Sequence, residues 1–163
     1  DEKKDDEAFV KIELETNPNT NSFENIEYSG FDLNGNRYIL NAKEAEFKTE
    51  KPELINMAGV TAKFYLKDGT FLSVVSEKGL YNNVSLDMKF EENVRAEYLT
   101  HTLLSDLLSY SNLKAKLIAT GNVRGESIEK GKFSADNVEY DLKNKTLNFT
   151  MFDSKQVNIK LKN

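Results

Sequence analysis

One pattern runs through most of this chain: apolar residues stand at every second position. Leu54, Asn56, Ala58, Val60, Ala62, Phe64 and Leu66 alternate with residues such as Lys63, Tyr65 and Lys67. Leu86, Met88 and Phe90, then Val94, Ala96 and Tyr98, repeat the alternation, interrupted by Glu92. Leu113, Ala115, Leu117, Ala119, Gly121 and Val123 carry it further, followed by Leu147, Phe149 and Met151, and finally Val157, Ile159 and Leu161. A period of two places one set of side chains on one face of a strand; a helix needs 3.6. Turn-forming residues separate the runs: Asn34-Gly35-Asn36, Asp68-Gly69, Tyr81-Asn82-Asn83, Gly131, and Asp141 to Asn144. The chain is therefore expected to be all-β. The best helical candidate, Thr102 to Leu108, is so short that a strand or a single turn is favoured.

The alternation is organised as an internal repeat. Ala42, Ala45 and Phe47 share their spacing with Ser76, Gly79 and Tyr81, with Ser105, Leu108 and Tyr110, and with Ala135, Val138 and Tyr140. Each copy reads as a strand, a tight turn and a longer return strand. The first step of each spacing is odd, so strict alternation would put its two ends on opposite faces. One extra residue, at Lys43 or Glu44 in the first copy, would restore a common face as a β-bulge does. A bend repeated in every copy curls the sheet. The expected architecture is a roll of stacked, bent hairpins with an apolar interior. The inward phase holds the large residues Tyr38, Leu40, Phe47, Phe64, Leu72, Tyr81, Phe90, Tyr98, Leu117, Phe133, Tyr140 and Phe149. Small ones stand between them, including Ala42, Ala62, Ala96, Ala119 and Gly121.

Composition narrows the function. The 163 residues include no Cys and one His, which excludes disulfides, thiol nucleophiles and multi-His metal centres. A net charge of −5 argues against a phosphate-backbone binder, so no nucleic-acid partner is expected. There is no G-x-S-x-G, and His101, flanked by two Thr, reads as a strand-end residue rather than an acid–base group. Glu44/Glu46 and Glu91-Glu92 read as solvated carboxylates, with Glu92 at a bulge or rim because it falls in the apolar phase. No metal site, cofactor or catalytic residue is expected, and the chain is not expected to be an enzyme. Residues 1–22, from DEKKDDE to the turn-rich TNPNTNS, read as a leader with a short edge segment at Val10, Ile12 and Leu14; residues 23–163 form the domain. Lys11, Arg37, Lys43, Lys63, Arg95, Arg124 and Lys132 are spread evenly enough to be an ordinary charged surface.

The segments Gly35 to Ala45 (GNRYILNAKEA), Ala62 to Gly69 (AKFYLKDG) and Ser76 to Tyr81 (SEKGLY) resemble the periplasmic domain of the LptC family of lipopolysaccharide-transport proteins. Ala119 to Arg124 (ATGNVR) and Ala135 to Asp141 (ADNVEYD) are similar in style to the related LptA jellyrolls. The resemblance covers about residues 23 to 152. It implies a β-jellyroll, an open and twisted roll of two antiparallel sheets. It also implies a periplasmic location and a transmembrane anchor preceding the domain.

The resemblance further implies that the twelve large inward residues line a path for lipid A acyl chains. Lipopolysaccharide would arrive from an inner-membrane ATP-driven extractor (LptB, LptF and LptG) at the N-terminal edge, where Ile26, Tyr28 and Phe31 stand. It would leave to an LptA-type bridge protein at the C-terminal edge, where Val157, Ile159 and Leu161 stand. A weak homodimer is left open. The competing readings are an LptA-like bridge subunit and a β-sandwich that binds carbohydrate or protein and carries no lipid. For the second, the outward phase offers mainly Tyr65.

Overall fold

The computed structural model describes residues 19–151 and, for 155–160, the backbone. Ten strands follow one another: β1 (Thr20–Phe31), β2 (Arg37–Lys48), β3 (Lys51–Tyr65), β4 (Phe71–Asn82), β5 (Met88–Tyr98), β6 (His101–Ser111), β7 (Lys116–Ser127), β8 (Gly131–Asp141), β9 (Thr146–Met151) and β10 (Lys155–Lys160). Each pairs antiparallel with the next, in a single meander without crossovers. Among the described residues there is no helix, and Thr102 to Leu108 lies within β6. The first strand opens at Thr20 rather than at residue 23, because Thr20, Asn21 and Ser22 already pair with Lys48, Phe47 and Glu46.

The fold is all-β and jellyroll-like, but its two sheets are two arms of one sheet. A front arm comprises residues 26–31, 37–42, 60–65, 71–75, 94–98, 101–104, 123–127 and 131–135. A back arm comprises 20–24, 44–48, 54–58, 78–82, 88–91, 107–111, 116–120 and 137–141, continued by β9 and β10. Ring contacts show that the arms face each other. The Phe64 ring (β3) lies 5.0 Å from that of Tyr110 (β6), and Tyr98 (β5) lies 6.2 Å from Tyr140 (β8). Strands three apart in a flat sheet would be separated by about 14 Å. Leu40, Val74 and Phe90 are fully buried, which a single uncovered layer does not achieve.

The corner between the arms is where the odd step of the repeat is resolved. Both ends of the step are buried in all four copies: Ala42 and Ala45, Ser76 and Gly79, Ser105 and Leu108, Ala135 and Val138. The extra residue, however, is not at Lys43 or Glu44. Pairing simply skips the positions of Asn25, Lys43, Gly59 and Glu77 in β1 to β4 without a change of register. In the second half the register shifts by one, with the additional residue on β5 and on β7.

The left-handed backbone that makes each corner lies on odd-numbered strands: Asn25, Gly59, Glu92-Asn93 and Gly121-Asn122. Gly and Asn tolerate positive φ; Glu92, at +69°, is strained there and is exposed. The even strands answer with acids. Asn93 donates to Glu77, and the Asn122 amide donates to Asp106 at 2.8 Å. The corner also flips the phase of β3. Ile55 and Met57 are buried, whereas Leu54, Asn56 and Ala58 are not, contrary to the unbroken alternation expected from Leu54 to Leu66. Gly121 likewise sits exposed on the corner, not in the interior.

Candidate functional site: an apolar cavity at one end of the roll

The twelve large residues expected inside all turn inward, ten of them buried and Phe47 and Phe133 half-buried. They do not form one continuous lining. Six pack at the N-terminal end of the roll: Tyr38, Leu40, Phe47, Phe64, Tyr81 and Phe90. The other six, Leu72, Tyr98, Leu117, Phe133, Tyr140 and Phe149, line a cavity of about 180 Å³ near its C-terminal end.

The reason is the offset between arms. Tyr38 of β2 reaches Tyr81 of β4, and Phe64 of β3 reaches Tyr110 of β6, so front-arm strands pack on back-arm strands two or three places later. Front-arm segments of β6, β7 and β8 therefore look toward back-arm strands at the end of the sheet. Among the described residues the front arm ends at β8, because β9 pairs only with residues 137–141 of that strand.

The N-terminal end is filled and tied by polar groups. The hydroxyls of Tyr38 and Tyr81 are 2.7 Å apart. Asp32, 7% exposed, accepts hydrogen bonds from the backbone N–H groups of Asn34 and Asn36, from the Asn36 amide and from the Tyr110 hydroxyl. Asn112 then joins three turns: its side-chain oxygen accepts from Leu33 N–H, its amide donates to Ser85 C=O, and its own N–H donates to Asp87. No buried side-chain polar atom among the described residues lacks a partner. Desolvation by burial pushes the Tyr81 and Tyr110 phenols far up, so they act as uncharged donors and acceptors. Asn34-Gly35-Asn36 is the turn that its composition implies, whereas Asp32 and Asn112 carry no sequence signal that sets them apart from other turn residues. The third member of each repeat copy, Tyr110 in the third copy, is the one signal for this network.

The cavity end is different in kind. Its apolar wall also includes Ala96, Leu103, Leu108, Ala119, Val138 and Leu147, and its mouth carries His101, Thr102, Glu126, Ser127, Lys130 and Lys132. Phe133 and Phe149 meet edge to face at 4.3 Å. Phe133 lies flat against Gly125, where a Cβ would stand 2.1 Å from its ring, so this glycine is what lets the ring lie down. The neighbouring turns are fixed by Glu129, which accepts from the hydroxyls of Thr100 and Ser127; these bonds hold its carboxyl below the ordinary range. One ion pair closes the gap between front-arm and back-arm turns beside the cavity: Lys145 Nζ lies 2.7 Å from Asp68 Oδ2. The phenol of Tyr140 is pushed up by burial.

The remaining predicted positions divide clearly. His101 opens β6 at the cavity mouth, half-buried, and Glu92 sits on the corner bulge. Of the basic residues, Lys132 reaches the mouth. Lys43 lies across Gly59, Lys63 stands over the Phe71 ring, Arg95 pairs with Glu97 and Arg124 donates to Asn122 C=O.

On the N-terminal edge strand, Ile26 and Tyr28 point inward, Tyr28 against Tyr81, and only Phe31 faces out. All three stand on β1, an edge strand of the sheet among the described residues. Val157 and Ile159 lie in β10, opposite Phe149 and Leu147; Leu161, like Val10 to Leu14 and Lys11, falls outside the described residues. The outward aromatic pair is Tyr65 with Phe71, the latter not anticipated.

No protein-family model matches this chain, nor does any curated protein. Among the described residues no group of side chains is arranged to hold a metal ion, and no helix is long and apolar enough to cross a membrane.

Proposed function

We propose that this protein is a non-catalytic periplasmic carrier that takes acyl chains of lipopolysaccharide into the C-terminal end of its roll. The cavity carries this reading: an apolar chamber between two arms, with lysines at its mouth and β-strand edges on either side of the sheet. Ligand pockets commonly measure about 300–1,000 Å³, so a cavity of about 180 Å³ admits part of one chain rather than a whole lipid A. Each methylene moved from water into it contributes about 0.8 kcal/mol. Taking more of the lipid requires the arms to part at the Asp68–Lys145 contact.

In this proposal the lipid comes from an inner-membrane extractor of the LptB/LptF/LptG type through the β1 edge. It passes to an LptA-type bridge protein that adds a strand to β10. The sequence resemblance supports these partners, and β1 and β10 are the edge strands of the sheet among the described residues.

The test is photo-crosslinking with a photoreactive side chain at Phe149, Phe133 or Phe64, using purified lipopolysaccharide. Adducts at Phe149 and Phe133 but not at Phe64 are expected. Equal labelling at all three would mean that the packed end also opens. No labelling at Phe149 or Phe133 would reject the carrier reading.

A further inference from the structure

Among the described residues, five turns present bare aliphatic side chains to water; two of them, with Leu99 and Ile128, lie at the cavity end, and the other three are gathered elsewhere. Leu33, between β1 and β2, is 66% exposed; Val84, between β4 and β5, is 77% exposed; Leu113, between β6 and β7, is 80% exposed. Single exposed apolar residues are ordinary. These three are not scattered, because the Asn112 hub gathers their turns. Leu33 N–H donates to the Asn112 side chain at 3.0 Å; Val84 precedes Ser85, whose carbonyl accepts from Asn112 at 3.1 Å; and Leu113 follows Asn112 directly. Asn112 is itself only 6% exposed.

Each tip is also held rigidly from behind. Asn82 accepts from the N–H groups of Val84 and Ser85, Asp32 accepts from those of Asn34 and Asn36, and Ser111 accepts from that of Lys114. Turn chemistry is thus supplied entirely by Asp, Asn, Ser and Gly. Nothing in these turns calls for Leu or Val at the tips.

The exposed charges nearest Leu33 and Leu113 are basic. Lys114 is exposed beside Leu113, Arg37 is exposed at the start of β2, and Lys67 Nζ reaches within 3.6 Å of where a Cβ of Gly35 would stand. The acids of the same turns, Asp32 and Asp87, accept hydrogen bonds from neutral donors of the hub and keep their charges, Asp32 buried and Asp87 exposed beside Val84.

From this geometry we infer that the three tips form a foot that docks on an anionic lipid bilayer, with Leu33, Val84 and Leu113 inserted into the headgroup boundary and Lys67, Lys114 and Arg37 facing lipid phosphates. Separate projecting tips around a polar hub suit a soft, fluid surface into which each sinks independently. A protein partner of ordinary affinity needs a broad complementary patch. The foot is at the packed end of the roll, so its test is read separately from that of the cavity.

The chain contains no Trp, so Leu113→Trp supplies a single reporter. With phosphatidylglycerol-containing vesicles its emission should move to the blue and be quenched by brominated chains. Vesicles of phosphatidylcholine alone, or high salt, should weaken the effect. A control reporter, Val75→Trp on the outer face of β4, should not respond. The combined Leu33→Ser, Val84→Ser and Leu113→Ser variant should lose vesicle co-sedimentation by about tenfold while keeping its thermal transition. The foot is overturned if Leu113→Trp does not shift, if Val75→Trp shifts equally, or if the triple variant sediments like the parent.

Discussion

The two ends of the roll are built from the same repeat, with the same inward phase and the same corner, yet one is solid and the other hollow. Tyr38, Phe64, Tyr81 and Phe90 are each 3% exposed or less and meet partners across the interior. Tyr98, Phe133, Tyr140 and Phe149 are of similar size and phase but enclose a void. Side-chain volume does not make the difference. The sheet is offset against itself, so the last front-arm strands lie over the last back-arm strands, at the end of the sheet. Hollowness here is a property of position along the meander. A chamber made in this way lies next to a strand edge, where its size depends on how the sheet ends.

The largest effect that separates the ends is truncation of a ring. Phe64→Ala should destabilise by about 3–5 kcal/mol, because the ring is enclosed on all sides. Phe149→Ala should cost only about 2 kcal/mol, since part of its surface already lacks packing partners. Denaturant unfolding of the two variants compares them directly, and equal losses would mean that both ends are equally packed.

Next is the polar plug. Asp32→Ala strands the donors of the β1–β2 turn and leaves the Tyr110 hydroxyl only Asn112 Oδ1, for an expected loss of about 3 kcal/mol in the same measurement. A neutral result would show that water replaces the carboxylate there.

Overpacking reverses the logic of truncation. Ala62→Leu, in the solid end, should cost about 1–3 kcal/mol, whereas Ala119→Leu, against the cavity, should be close to neutral. Ala119→Leu should also reduce lipopolysaccharide crosslinking at Phe149. If Ala119→Leu destabilises as much as Ala62→Leu, the cavity is not available to a side chain.

The smallest effect concerns the ion pair beside the cavity. The hydrogen bond from Lys145, followed by those from Thr70, holds the Asp68 carboxyl well below the ordinary carboxylate range. A carboxyl depressed in the folded state stabilises above its unfolded pKa, and the contribution fades as pH falls. Parent and Asp68→Asn should therefore differ slightly in thermal midpoint at neutral pH and converge as the medium becomes strongly acidic. A difference that grows on acidification would contradict the sign of the shift.

Much of this was readable from the residues alone. Period-two alternation gave the strands, and the odd step of the repeat foretold a corner, because Ala42 and Ala45 can share a face only if the chain bends between them. Where the bend would be made was not readable. The left-handed residues fell on the return strands, where Asn25, Gly59, Asn93 and Gly121 tolerate positive φ, and not on Lys43 or Glu44. Leu54, Asn56 and Ala58 leave the buried phase for the same reason, since a phase flip at Gly59 leaves no trace in hydropathy. The division of the twelve inward residues into six packed and six around a cavity was equally hidden. It depends on which strand faces which across the roll, and no local pattern encodes that. The Asp32–Asn112 hub joins positions far apart in sequence, each of which looks like a turn residue on its own.

The contacts that close the roll have a nearly constant span. Tyr110 to Asp32 covers 78 residues, Leu33 to Asn112 covers 79, and Lys145 to Asp68 covers 77. During synthesis, the turn holding Asp32 can form with its hairpin but has nothing to close on until Tyr110 and Asn112 have emerged. Asp68 waits in the same way for Lys145. The roll must then be completed in chain order, its solid end sealed while the strands around the cavity are still being made. The hollow end is the last to form, and on unfolding from that end it would be the first to come undone.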